Sequence, residues 1–220
     1  MTDGAVSVDC RPVSAVDAPT SSPLGSASQR DRRRRVIDAA FELGAERGYE
    51  AVQMREVSAS ANVSLATIYR YFSSKDHLLA AAMTEWTAKL QGRLALSPPR
   101  GAGAADQLVD VLDRACRAMA RQPKLTAALI RALSSSDPGV QECAEQVQAQ
   151  IASMSAGILA DLDPGVREDI LAVLGHVWYS TLVAWSSGRI DFDQVTSELD
   201  RAVRVLVEPY ERRGGPSRGA

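Results

Sequence analysis

Apolar residues recur every three to four positions along most of this chain, the spacing that gives a helix one buried face. Val36, Ala40 and Leu43, with Ile37 and Phe41 beside them, predict a first helix from Ser28 to Gly48. Met54, Val57 and Ala61 mark a short second helix, and Ile68 with Phe72 the inward face of a third. Ser73 and Ser74 offer N-caps for a fourth, Ser73 with Asp76 resembling a weak capping box. Leu79, Met83, Trp86 and Leu90 make that helix long, until Ser97-Pro98-Pro99-Arg100-Gly101 stops it. This break is the clearest internal boundary in the pattern.

Five further helices follow. Leu108, Leu112, Ala115 and Met119 define a fifth that ends before Pro123, and Leu125, Leu129 and Leu133 a sixth that ends between Ser134 and Pro138. Val140, Ala144, Val147, Ile151, Met154 and Ile158 predict a long seventh. Pro164 suits the first turn of an eighth, which carries Ile170, Leu174, Val177, Thr181, Leu182 and Trp185 up to Gly188. Asp191 or Asp193 caps a ninth with Val195, Leu199, Ala202, Val203 and Leu206. No strand pattern and no fixed-period repeat stands out. The expected fold is all-α with about nine helices. Residues 1–27, rich in Ser, Pro and Asp without period, read as a disordered tail. Residues 28–74 read as a three-helix unit, 75–208 as a larger helical unit, and 209–220 as a flexible tail.

Composition narrows the function classes. The chain has 220 residues, 45% of them hydrophobic, and a formal net charge of −2. The charge is unevenly spread. Residues 28–94 hold 11 Arg and Lys against 8 Asp and Glu, whereas residues 95–220 hold 13 against 16. The small positive excess lies where phosphate binding would need it. The three cysteines, Cys10, Cys116 and Cys143, are far apart and show no metal-ligand spacing, which fits a reducing cytoplasm. No apolar run is long enough for a leader or a membrane span, so a cytoplasmic location is expected. There is no Gly-rich phosphate loop and no nucleophile elbow. The two histidines, His77 and His176, read as core or surface residues on helices. An enzyme is not indicated, and no cofactor or metal is implied.

The stretch Ser64–Leu79, SLATIYRYFSSKDHLL, carries the most specific chemistry. A helix entering a groove about 12 Å wide needs a slim leading edge, and Ser64, Ala66 and Thr67 supply one. Tyr69, Arg70, Tyr71 and Lys75, with Arg55 on the preceding helix, are candidates for contacts to DNA that fix register. Lys75 also opens the next helix, where free backbone N–H groups favour phosphate. Asn62 tolerates the left-handed backbone a tight turn requires. By spacing alone, a helical hairpin with tyrosines on its surface fits equally well. Leu65 either touches a thymine methyl or packs inward. The Arg32–Arg35 run is either a solvated helix start or an arm reaching the DNA backbone.

Residues 48–79, GYEAVQMREVSASANVSLATIYRYFSSKDHLL, resemble the N-terminal domain of the TetR family of bacterial repressors. The likeness covers residues 29–80: a Gly-aromatic pair after the first helix, a Val-Ser turn, Thr-apolar-Tyr-x-Tyr-Phe, and Ser-Lys before paired leucines. It departs at Asn62, where the family usually has Gly, and at Leu65, where a polar residue is frequent. The resemblance implies contacts to double-stranded operator DNA from the positions of Thr67, Tyr69, Tyr71 and Lys75. It also implies a divergent helical ligand-binding half and a homodimer formed by the last two helices, with Gly175, Tyr179, Val183, Leu199 and Val203 as interface candidates. The pocket is then expected among helices four to eight, lined by Trp86, Leu90, Leu112, Met119, Leu129, Met154, Ile158, Val177, Trp178 and Thr181, a set that favours an apolar inducer. Segments such as RAMARQPKLTAALIRA and VWYSTLVAWSSGR are similar to the KstR-type branch of the family, which represses steroid catabolism genes. In that branch the inducer is a steroid-derived acyl-CoA thioester; Arg117, Arg121, Lys124 and Arg131 either meet its nucleotide end or are simply solvated. A regulator answering to a fatty acyl-CoA or drug-like ligand, and a helical ligand-binding module or enzyme without a DNA role, are the alternatives.

Overall fold

The computed structural model describes residues 27–214, with side chains to Arg212. Cys10, the expected 1–27 tail up to residue 26, and the last six residues lie outside the described residues, whereas Ala27 already belongs to the first helix. Within them, nine α-helices and no strand are present: α1 (Ala27–Arg47), α2 (Met54–Ala61), α3 (Leu65–Tyr71), α4 (Lys75–Leu96), α5 (Ala104–Ala120), α6 (Pro123–Ala132), α7 (Pro138–Ala156), α8 (Pro164–Ser186) and α9 (Phe192–Gly214). A 3₁₀ turn, Tyr49–Ala51, links α1 to α2. No helix among the described residues is long and apolar enough to cross a membrane.

Most boundaries fall where the pattern placed them, and the exceptions have local causes. Asn62 ends α2 in the left-handed region, φ 51° and ψ 50°. Helix α7 stops at Ala156, short of Ile158, because the chain turns at Gly157 and runs through short turns to Asp163. Asp191, not Asp193, caps α9: its carboxylate accepts from the Gln194 backbone N–H at 2.8 Å, and the Gln194 side chain accepts from the Asp191 N–H at 3.0 Å. Helix α9 runs on through Pro209 to Gly214, past the expected tail boundary. Glu211 holds that last stretch down by accepting from the Ala105 N–H of α5 at 3.0 Å. Arg204 ties α9 to Asp106 on α5 as well.

The first three helices and much of the rest share one core. Val36, Ile37 and Ala40 of α1, Val57 of α2 and Ile68 of α3 cluster with Leu125 of α6, Val140 of α7 and Leu199 of α9. A second cluster joins α5, α8 and α9, and a third joins α4 to α5. Helix α4 packs against α7, α1 and α6.

Asp137, the N-cap of α7, locks the corner between α3 and α4. Its carboxylate accepts from the hydroxyls of Ser73 (2.7 and 2.9 Å) and Ser74 (2.7 Å) and from the Gly139 N–H (2.9 Å). The capping box expected at Ser73 is therefore not the one that forms. Ser74 caps α4, accepting from the His77 N–H at 3.1 Å while its own hydroxyl donates to Asp137. Gly139 is needed here, since a Cβ at that position would lie 2.4 Å from the His77 ring. The hydrogen bonds from Ser74 and then Ser73 hold the Asp137 carboxyl below its usual range. Asp137→Ala should lower stability by about 1 kcal/mol, the usual worth of an N-cap, in urea unfolding at fixed protein concentration. A group whose folded-state value is depressed stabilises fully above its unfolded-state value and loses that contribution as pH falls through the folded one. The gap between parent and variant should therefore narrow in acid. Equal midpoints at neutral pH would show that the corner contributes nothing.

Candidate nucleic-acid interface and ligand core

Helix α3 is short, so its stability comes from anchors rather than propensity. Ile68 is buried within it, and Phe72, its C-cap, is 1% exposed. Ser64 caps the start, accepting from the Thr67 N–H at 3.2 Å, and its hydroxyl lies 2.8 Å from that of Thr67. What remains is a free edge. Ser64, Ala66, Tyr69 and Arg70 are exposed, Tyr69 at 52%, and Arg55 is exposed on α2. Leu65 is partly buried against the main core, so it packs.

Two expected DNA contacts sit differently. The Tyr71 hydroxyl is buried and has no hydrogen-bond partner, and the ring lies under the Arg70 guanidinium at 5.6 Å. Lys75 places its ammonium 3.7 Å from the Tyr49 ring centre and 3.8 Å from the Glu50 carboxylate. Arg131 of α6 stands 3.9 Å from the same ring and bonds Glu50 at 2.7 Å, so Tyr49 is held by two cations. The Tyr49 hydroxyl donates to Asp76 at 2.6 Å. Burial, with that hydrogen bond, pushes its pKa up to about 12. The arginine run is laced into the fold. Arg33 bonds Glu85 of α4 and covers the Phe72 ring, Arg35 bonds the Ala61 carbonyl and pairs with Asp31, Arg34 pairs with Asp38, and Arg32 bonds the Ser28 carbonyl.

The expected pocket residues divide. Leu90 lies in the third cluster, and Trp86, Met154, Ile158 and Trp178 pack against it with Val111 and Ala115. Leu112 belongs to the second cluster, while Met119, Leu129 and Val177 belong to the main core. Thr181 is buried, but its hydroxyl donates to the Trp178 carbonyl at 2.9 Å. A cavity of about 20 Å³, room for roughly one water, lies nearby between Val109, Leu112, Cys116 and Leu199. Burial pushes the Cys116 thiol up to about 12 and the Cys143 thiol upward, which keeps both protonated. Of the basic residues proposed for a nucleotide end, Arg131 is engaged by Tyr49 and Glu50, Lys124 donates to the Glu46 carbonyl, and Arg117 pairs with Asp113.

The interface candidates divide as well. Gly175 and Tyr179 are exposed on α8, although the Tyr179 hydroxyl lies 2.7 Å from Ser134 Oγ. Val183 is partly buried against the main core. Leu199 and Val203 are 2% and 0% exposed, turned into the chain's own clusters, and have no surface left for a partner. Instead α8 shows a face of Ala172, Val173, Gly175, His176, Tyr179 and Ser180, and α9 exposes Val205 at 68%.

Sequence reasoning missed Asp137, Tyr49 and Gln150. Asp137-Pro138-Gly139 is a legible helix start, but its partners on α3 and α4 are not legible from sequence.

Residues 36–82 match the family described as bacterial regulatory proteins, tetR family, and residues 101–206 match the tetracyclin repressor-like C-terminal domain. The HTH-type transcriptional repressor KstR of Mycobacterium tuberculosis H37Rv is 38% identical over 200 residues, covering 90% of each chain. KstR of Rhodococcus jostii RHA1 is 37% identical over 193 residues, 86% of this chain and 89% of its own. A TetR transcriptional regulator from Rhodococcus sp. RHA1 superposes with a TM-score of 0.75 at 28% identity, over 82% of this chain and 97% of its own. Thermus thermophilus FadR, solved in complex with lauroyl-CoA, shares the fold with a TM-score of 0.66 at 22% identity, over 86% of this chain and all of its own. The chain belongs to the TetR family of bacterial regulatory proteins.

Proposed function

We propose that this ligand-responsive transcriptional repressor binds operator DNA as a homodimer through α3 and is released by a steroid acyl-CoA thioester seated near Trp178. One observation carries the reading. Helix α4 begins four residues after the last residue of α3 and runs directly into the apolar cluster of Trp86, Leu90, Met154, Ile158 and Trp178. A ligand that opens the cluster therefore acts on the helix that holds the reader. The identity to KstR repressors over nine-tenths of the chain supports steroid catabolism as the regulated process. The apolar lining suits a sterol body, while a fatty acyl-CoA inducer is the second reading, since FadR of the same fold holds lauroyl-CoA.

In this reading Ser64, Ala66, Thr67, Tyr69 and Arg70 face the groove. Arg55 lies beside them. Lys75 and Tyr71 act at the back of the reader, where Tyr49 and Arg70 hold them. Two recognition helices would stand about 34–36 Å apart, one duplex turn. Ligand shifts the balance only by its difference in affinity for the two states.

Tyr69→Ala should weaken operator binding about tenfold in a mobility-shift titration. Arg70→Ala should do the same and reduce the slope of log affinity against log salt by about one. Both should leave sedimentation and ligand binding alone, and parental affinity in both variants would remove α3's outer edge from the interface. A steroid acyl-CoA should release DNA at lower concentration than a fatty acyl-CoA, and the reverse order would favour the second reading.

Val173, 45% exposed, lies at the centre of the uncovered α8 face. Val173→Glu should convert the dimer to monomer in sedimentation and cut operator affinity at least tenfold. An unchanged dimer would place the interface elsewhere.

A further inference from the structure

Three buried polar side-chain atoms among the described residues have no hydrogen-bond partner: the Tyr71 hydroxyl, the Gln150 amide oxygen and the Trp178 indole nitrogen. Tyr71 belongs to the reader. The other two lie on α7 and α8, the helices that enclose the apolar cluster. Trp178 stands four residues after Leu174 and four before Leu182, both buried, on the inward face of α8. It packs against all three apolar clusters of the chain, so its indole sits where they meet. Gln150 stands one turn before Met154 on α7, and Met154 packs against the same third cluster.

A buried donor with no acceptor is destabilising, because its bond to water is lost and nothing replaces it. Buried indole N–H groups ordinarily find a partner. The packing around Trp178 is aliphatic and aromatic: Leu90, Leu94, Val111 and Ala115, with Trp86, Met154 and Ile158. The nearest buried hydroxyl on its own helix, Thr181, already donates to the Trp178 carbonyl. Among the described residues, no group accepts from the indole.

We infer that the Trp178 N–H is the polar anchor of the inducer site, selecting apolar ligands that carry a carbonyl or hydroxyl oxygen on the body that enters the cluster. The inference rests on the inducer reading above and adds its selectivity rule. The oxygen accepts from the indole only once the ligand has displaced the side chains now packed there. Hydrocarbon alone fills the site but leaves the donor unsatisfied. A site built around a hydrogen bond rejects the analogue that lacks the partner atom, because a buried group is then left unpaired.

The test uses the full-length protein and two probes, a steroid acyl-CoA thioester bearing a ring ketone and its ring-deoxy counterpart. Affinity is read directly by calorimetry and as release from operator DNA. The parent should prefer the ketone about tenfold. Trp178→Phe, which keeps the ring and removes the donor, should lose that preference by weakening the ketone alone. Its ligand-free operator binding shows that the variant is folded. Should the variant not fold, the parent's indole ¹⁵N–¹H resonances decide instead. The Trp178 signal should move downfield with the ketone and not with the deoxy compound. Equal preference in parent and variant, or an indole signal indifferent to the ketone, overturns the anchor while leaving the inducer reading intact. Failure of both probes to bind the parent overturns the inducer reading and the anchor together.

Discussion

Everything else in this fold is arranged around the first turns of α4. From Leu78 to Met83 six successive residues are buried, five of them at 0–1% exposure. A helix ordinarily buries one stripe; one that is buried all round is enclosed on every side. Here α1, α6 and α7 enclose it. Ala80, Ala81 and Ala82 allow that enclosure, because small side chains let neighbouring helices approach. The reader and the regulatory half therefore share a single core, from Val36 to Leu199. Close-packed interiors transmit displacement rather than absorb it, so α4 cannot move without moving α1 and α6.

Polar contacts at the rim of this hub set its orientation. Asp137 pins the Ser73–Ser74 corner to α7, and Tyr49, gripped by Lys75 and Arg131, pins the end of α1 to α6. These groups are partly exposed, and exposed ion pairs are individually worth little. Their geometry matters more than their energy. Lys75 is the instructive case. A lysine at a helix start beside a DNA reader suggests phosphate, but here its charge is already shared with an aromatic face and Glu50. Its position ties α4 to the 3₁₀ turn, which in turn rests on α6.

The sequence made the reader legible because each of its needs is local. Asn62 answers a backbone torsion, Ser64 a free N–H three residues on, and Ile68 and Phe72 a helical spacing. The third cluster was legible in part, since Trp86, Leu90, Met154, Ile158 and Trp178 do come together. Leu199 and Val203 were misplaced for a definite reason. An apolar stripe on α9 states that it is buried but not whether by its own chain or by a copy, and α5 fills that role here. Asp137 showed its cap in sequence but not the two serines 63 and 64 positions earlier that it holds. Contacts of that separation depend on the assembled core.

On the proposed inducer reading, the energetics of release follow from the close packing of the third cluster. Moving a two-state equilibrium from 1:99 to 99:1 needs a differential affinity of about 5.5 kcal/mol. At about 25 cal/mol per Å², burial of roughly 220 Å² of apolar surface supplies that much, less than a sterol body offers. Apolar burial is thus sufficient to drive the switch and useless for choosing the inducer, because any greasy molecule of adequate size supplies it. Part of that burial is also offset by the packing the ligand must displace between α4, α5, α7 and α8. Discrimination has to come from groups that gain only with the right partner. In this core the chain's own contacts leave the Trp178 N–H and the Gln150 carbonyl unsatisfied. On the proposed reading, the apolar mass of a ligand sets whether the repressor lets go, and the Trp178 N–H sets for which ligand it does so.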